Sequence, residues 1–174
     1  MNRSPIRAAR RWSIPAALAL ACLTAAADEA KAPVNVDWGD PSTFAEVRHN
    51  ACRDSTKPEE WLGQLAQHLQ RRAGKVLTAG QHLDVTITDI QRAGACEPWR
   101  GPRWDDVRVI KDIYSPRIDL HYTLTTGDGT LVRKGEDSLR DAAFLSRATM
   151  NREDPLRFEK RMLDDWLRRE FAPR

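Results

Sequence analysis

The stretch over residues 118–124 limits the fold of this chain more than any other part of the sequence. Apolar residues occupy every second position, and polar residues fill the positions between them. Such alternation is typical of a strand with one face on the core and the other in water. A Gly-Asp-Gly sequence follows at 127–129, and glycine supplies the positive φ angles that tight hairpin turns require. The pattern predicts an antiparallel hairpin with its second strand over 131–136. The alternating apolar residues are Ile118, Leu120, Tyr122 and Leu124.

Three further stretches predict strands of the same sheet. Residues 34–38 and 83–87 alternate apolar with polar side chains, as the hairpin does. Residues 107–115 show a weaker alternation and predict a strand that ends near Ser115. Glycine and proline interrupt the chain over 91–104, which predicts a long loop there.

Two segments place apolar residues at helical spacing, namely 57–73 and 155–171. Each has a proline near its start, where the missing N–H group removes no helical hydrogen bond. We therefore predict an α+β domain. It should contain a mostly antiparallel sheet of four to five strands, with two main helices packed on one face. The residues expected in its core are Leu62, Leu65, Leu69, Phe158, Met162, Leu163, Trp166 and Leu167, beside Val85, Ile87, Ile118 and Leu120.

Residues 1–27 have the composition of a secretory signal peptide. Four arginines precede an apolar run over 14–23, which is too short to span a bilayer as a helix, and residues 1–27 contain no acidic residue. Ala25 and Ala27 suit the small-residue pockets of a signal peptidase. We therefore predict cleavage after Ala27, a periplasmic location and a single domain over 28–174.

The cysteines have different expected roles. Cys22 lies in the apolar run, and lipid attachment there is the less favoured alternative to a soluble exported protein. Cys52 and Cys96 remain after cleavage, and an oxidising compartment converts paired thiols to disulfides. His49 is three residues before Cys52, so a sparse Cys/His metal site is a second interpretation. Neither cysteine belongs to a C-x-x-C pair, however, and we predict a Cys52–Cys96 disulfide.

The charge balance argues against a nucleic-acid partner. The whole chain has 28 Lys and Arg against 25 Asp and Glu. Removing the four arginines of residues 1–27 lowers the basic count to 24, against 25 acidic residues. Nucleic-acid binding requires a basic footprint on the folded protein, and the basic excess here belongs to the predicted signal peptide.

Familiar catalytic motifs are absent from the sequence. It contains no glycine-rich phosphate-binding loop and no G-x-S-x-G elbow. The histidines are scattered and lack metal-ligand spacing with one another. We therefore predict no catalytic residue, no cofactor and no metal. A periplasmic hydrolase-type enzyme, with a site assembled from distant residues, is the alternative. The histidines are His49, His68, His82 and His121.

Aromatic and basic side chains are concentrated in the loop over 91–104 and in the predicted strand over 107–115, both of which precede the hairpin. Tryptophan and arginine are enriched at binding hot spots. We therefore consider these side chains, with the polar face of the sheet, as a candidate binding surface. The alternative is that the rings pack on the sheet and the charges only join elements through ion pairs. The candidate residues are Trp99, Arg100, Arg103, Trp104, Arg108, Lys111 and Tyr114.

Three motifs, in this order, resemble a known family. They are DDVRVIKDIYSPRIDLHY, GEDSLRDAAFL and LRFEKRMLDDWLRREF, and the likeness extends back to VNVDWGDPSTFAEVR. The chain resembles the proteobacterial family catalogued as domain of unknown function 3016. This resemblance implies an exported α+β domain and assigns no activity, ligand or catalytic residue.

The sequence therefore favours an exported cell-envelope protein that acts as a non-catalytic binding or accessory module. Its order of strand, helix, several strands and final helix is similar to that of small auxiliary lipoproteins of outer-membrane lipid-transport systems. Another envelope protein or a lipid-transport component is the expected partner, and no transmembrane span is expected after signal removal. A structural or stress-related periplasmic protein without a small ligand is the second expectation.

Overall fold

The main sheet of the protein has four strands in the order β1-β2-β5-β6. The structure is a computed structural model that describes residues 34–50, 52, 56–147 and 153–172, so the predicted signal peptide and Cys22 lie outside the described residues. The strands are β1 Val34–Trp38, β2 Gln81–Gln91, β3 Ala95–Cys96, β4 Arg108–Val109, β5 Arg117–Thr126 and β6 Leu131–Arg140. The helices are α1 Ala45–His49, α2 Pro58–Ala73 and α3 Arg157–Phe171.

The predicted hairpin is confirmed as β5 and β6. Its turn is closed by a hydrogen bond of 2.9 Å from the Thr126 N–H to the Thr130 carbonyl, and Gly129 has a φ of +85°. The second strand continues to Arg140, beyond the predicted end at residue 136. The pairing extends this far because Leu139 lies opposite Ile118 and is itself buried.

The parallel pair β1 and β2 is connected through α2, since a parallel pair needs a long crossover connection. The helices α2 and α3 both pack on the apolar face of the sheet. Asp164 joins them, because its Oδ1 lies 2.9 Å from both His68 Nε2 and Arg72 Nε. The predicted α+β class and the predicted core are confirmed, and every residue expected to be buried is 5% exposed or less.

The predicted strand over 107–115 is wrong in its extent. Only Arg108–Val109 is a strand, and it pairs with Ala95–Cys96 in a separate two-stranded sheet. A turn in which the Tyr114 N–H binds the Lys111 carbonyl at 3.0 Å ends the extended run. Ile113 is 71% exposed after this turn, so the alternating apolar residues of 107–113 do not form one buried face.

Over the described ranges, none of the helices combines the length and apolar character needed to cross a membrane.

Candidate functional site

The segment 92–116, which we call the β2–β5 connection, contains every residue of the candidate binding surface. A disulfide fixes it to the segment between α1 and α2. Cys52 and Cys96 are bonded, with their Cα atoms 4.9 Å apart, which confirms the predicted pair. Asn50 Oδ1 accepts hydrogen bonds from the N–H groups of Cys52 and Cys96, at 3.3 and 3.4 Å. The disulfide and this amide together hold β3 against the end of α1.

A buried carboxylate, Glu97, organises the middle of the connection. It is 1% exposed, and its Oε1 accepts hydrogen bonds from Lys111 Nζ at 2.5 Å and the Tyr114 hydroxyl at 3.0 Å. Arg100 Nε lies 3.1 Å from the other oxygen. The hydrogen bond from the Lys111 ammonium lowers the pKa of Glu97, and the bond to this carboxylate raises the pKa of Tyr114. Three residues of the candidate surface therefore turn towards one buried anion.

Glu46 of α1 fixes the start of the connection and β4 in the same way. Its Oε2 accepts the Arg92 N–H at 2.8 Å, and its Oε1 forms an ion pair with Arg108 Nη2. Arg108 Nη1 also donates to the Gly94 carbonyl at 3.1 Å. Since Arg108 is bound to the carboxylate and to the backbone, it joins α1, the end of β2 and β4.

Glu159 of α3 is the third carboxylate and is fully buried. Its Oε1 accepts the Ala93 N–H at 2.6 Å, while its Oε2 has no hydrogen-bond partner among the described residues. Burial raises the pKa of this carboxyl, and the nearby Arg92 guanidinium opposes that effect. Ala93 also packs with Phe144 and Phe158, so α3 holds the start of the connection by both polar and apolar contacts.

Four large apolar side chains of the connection are exposed. Trp99 and Ile113 are 72% and 71% exposed, and Trp104 and Val107 are about half as exposed, at 38% and 42%. We call these four residues the tryptophan surface. Arg100 stacks on Trp104, with its guanidinium carbon 4.7 Å from the ring centroid. An exposed tryptophan that is supported by a fixed backbone is an arrangement suited to contact with a partner.

The candidate residues therefore separate into two groups. Arg100, Arg108, Lys111 and Tyr114 bind the buried glutamates, whereas Trp99, Arg103 and Trp104 lie on the exposed side. We did not predict the burial of the three glutamates or the exposure of Ile113 from the sequence. A signal for Glu159 was present, because it precedes Met162, Leu163 and Trp166 at helical spacing and so lies on the apolar stripe. No comparable pattern marks Glu46 or Glu97, whose burial depends on distant elements.

Clefts on the described part of the molecule include one beside the disulfide and one between β6 and α3. A cleft of about 210 Å³ lies beside the disulfide, and its lining includes Glu46, Trp61 and Arg108. A larger crevice of about 420 Å³ between β6 and α3 is lined by Arg147 and Asp165, which pair with each other at 2.6 Å. The described residues contain no cluster of three His, Cys, Asp or Glu side chains able to hold a metal ion.

The model of the family described as a protein of unknown function, DUF3016, matches residues 32–169. The chain belongs to this family. The DUF3016 match runs from β1 into α3 and includes the disulfide, the three buried glutamates and the whole tryptophan surface. No curated protein matches the chain.

Proposed function

We propose that this protein is an exported, non-catalytic binding module of the bacterial cell envelope, and that it contacts its partner through the tryptophan surface. The observation that carries the proposal is the 72% exposure of Trp99 on a segment fixed by a disulfide and by buried carboxylates. A tryptophan buries a large area when it meets a partner, so leaving it in water forgoes stabilisation that folding could have gained.

The fixed backbone of the connection supports this role. Binding is weakened by the entropy lost when loops and side chains become ordered, and a segment that is already ordered avoids part of that loss. Glu97 orders Lys111 and Tyr114 beneath the loop, and Arg100 orders the ring of Trp104. The backbone of the connection and the ring of Trp104 are therefore held in place before any partner binds.

The disulfide supports the exported location that the composition of residues 1–27 predicts. Disulfides persist in oxidising compartments such as the bacterial periplasm and are rare in reducing cytosols. The partner class that fits an envelope location is another envelope protein or a component of lipid transport.

Site-directed photo-crosslinking tests the proposal directly. A photo-reactive residue at position 99 should trap a specific partner in the envelope of the native host. The same residue at Glu59, an exposed position on α2, is the matched control and should not trap it. Replacing Trp104 by Ala in the position-99 crosslinker should abolish the crosslink. Because this change also removes the stacking contact with Arg100, a circular dichroism melt must show that the variant is still folded.

The opposite pattern would reject the proposal. If Trp99→Ala lowers the melting temperature but every partner of the wild type is still captured, Trp99 is part of the scaffold and not of a binding surface. Turnover of generic ester, peptide or phosphate substrates by the purified protein would favour the hydrolase alternative instead.

A further inference from the structure

The outer edge of β6 is a second surface of the molecule, separate from the tryptophan surface. β6 is ten residues long and has β5 on one side, with no described strand on the other. An edge strand presents unpaired N–H and carbonyl groups and can pair with another strand. The opposite edge of the sheet, β1, has five residues and a single charged side chain, Asp37.

The charges of β6 are arranged symmetrically about its central glycine. Residues 131–139 read LVRKGEDSL, with two basic residues before Gly135 and two acidic residues after it. If the strand pairs antiparallel with a second copy of itself about Gly135, Lys134 lies opposite Glu136 of that copy. Arg133 then lies opposite Asp137. Each of these pairs occurs twice, and each joins opposite charges.

The pleat of the strand is compatible with this register. Lys134 and Glu136 are opposite Thr123 and His121 of β5, so both side chains are on the face of the sheet that carries no helix. Lys134 is exposed, and the Glu136 side chain is 82% exposed. The pair Lys134–Glu136 can therefore form across a two-fold axis without removing either residue from a buried contact.

The second pair is on the helix side of the sheet and is already partly engaged. Asp137 Oδ2 accepts a hydrogen bond from Trp166 Nε1 at 2.8 Å. Arg133 Nη1 donates to the Glu170 carbonyl at 2.9 Å and lies 3.3 Å from Glu170 Oε2. These contacts use one oxygen of Asp137 and one nitrogen of Arg133. The exposed pair Lys134–Glu136 is therefore the one that best distinguishes this register.

We propose that the protein forms a two-fold symmetric dimer in which β6 pairs antiparallel with β6 of a second copy about Gly135, so that two four-stranded sheets become one. The partner is a second copy because an unrelated strand would have no reason to match this charge order. The same surface patch serves both subunits, as closed two-fold association requires. This inference does not depend on the binding role of the tryptophan surface.

Charge reversal with mass measurement by light scattering tests the dimer. The purified wild type should have twice the mass of the monomer. Lys134→Glu and Glu136→Lys each place like charges opposite one another and should weaken dimerisation at least about tenfold. The double variant Lys134→Glu/Glu136→Lys restores opposite charges and should recover the dimer. An equimolar mixture of the two single variants should form a heterodimer. Asp37→Lys on the β1 edge is the control and should leave the dimer intact.

Two results would overturn the proposal. One is a wild type that stays monomeric at roughly 0.5 mM, a concentration at which even a weak dimer with millimolar affinity would be partly populated. The other is a dimer that survives both single reversals, which would place the interface elsewhere. Circular dichroism melting of each variant shows that the subunit is folded, so loss of the dimer cannot be attributed to unfolding.

Discussion

At the scale of single residues, three buried carboxylates determine the conformation of the β2–β5 connection. A buried charge needs partners, because desolvation is otherwise costly. Glu46 and Glu97 are paired with Arg108 and Lys111. Glu159 instead receives a backbone N–H group and leaves one oxygen without a hydrogen bond among the described residues. Glu159 is therefore the carboxylate whose charge the fold tolerates least.

Glu159 should make stability depend on pH. Burial raises its pKa in the folded protein, with a further rise from Glu46 and an opposing effect of Arg92. The folded state thus holds the proton more tightly than the unfolded chain. The stabilisation is complete below the ordinary glutamate pKa of about 4.3 and is lost as pH rises through the raised value.

The variant Glu159→Gln removes this titration and keeps a carbonyl oxygen for the Ala93 N–H group. Relative to the wild type, its free energy of unfolding should increase as pH rises above about 4.3, because only the wild type loses stability there. Urea unfolding of both proteins at several pH values measures the difference. A difference that stays constant over this range would contradict the assignment.

Gly94 is a position where the backbone requires glycine. Its φ is +83°, and a Cβ atom there would lie 2.5 Å from Ile110 Cδ1 and 2.8 Å from the Val109 carbonyl oxygen. Gly94→Ala should therefore destabilise the fold by roughly 2–5 kcal/mol, through backbone strain and overpacking together.

Gly101 is the control for this prediction: it also has a positive φ, but nothing lies within 4 Å of its Cβ position. Gly101→Ala should show the strain alone, roughly 1–3 kcal/mol. Equal losses in chemical denaturation would refute the contact argument.

At the scale of elements, α3 joins the sheet and the connection. Trp166 lies edge-to-face with Tyr122 and Phe171, at centroid distances of 5.6 and 5.3 Å. Gly135 of β6 makes room for this cluster, since a Cβ atom there would lie 2.9 Å from the Tyr122 hydroxyl. The same helix holds Ala93 through Glu159. A displacement of α3 would consequently disturb β6 and the start of the connection together.

The disulfide is the second link between elements, and its removal should loosen the connection. Cys52 and Cys96 are 44 positions apart, and closing a loop of that size stabilises a fold by about 4 kcal/mol in the chain-entropy model. The Cys52→Ala/Cys96→Ala variant should lose up to that amount in chemical denaturation. Amide hydrogen exchange should accelerate at β3 and β4 and change little in β5. Uniform acceleration across the sheet would show that the bond acts on the whole fold instead.

At the scale of the whole molecule, we predict that the protein is exported to the periplasm and loses residues 1–27. Protein recovered from the periplasm should begin at Asp28, because Ala25 and Ala27 place the cleavage after Ala27. Intact-mass measurement of that fraction decides the point. A mass that retains residues 1–27, or one that matches a diacylated Cys22, would contradict this processing.

The sequence by itself determined the sheet, the two main helices and the core, because each depends on a local period. Alternation marked the strands, helical spacing marked α2 and α3, and the Gly-Asp-Gly sequence marked the hairpin turn. The cysteine pair could also be predicted, since a disulfide needs only two thiols and an oxidising compartment. The predicted strand over 107–115 failed because alternation alone does not reveal whether a second strand is present to pair with it.

Only the tertiary structure decided which charged residues are buried and which aromatic residues are exposed. Glu46 and Glu97 are buried because they bind donors more than ten residues away in the chain. Such contacts between distant residues leave no local pattern in the sequence. Trp99 is exposed because the disulfide and the buried carboxylates fix the backbone of the connection in a conformation that leaves its ring in solvent.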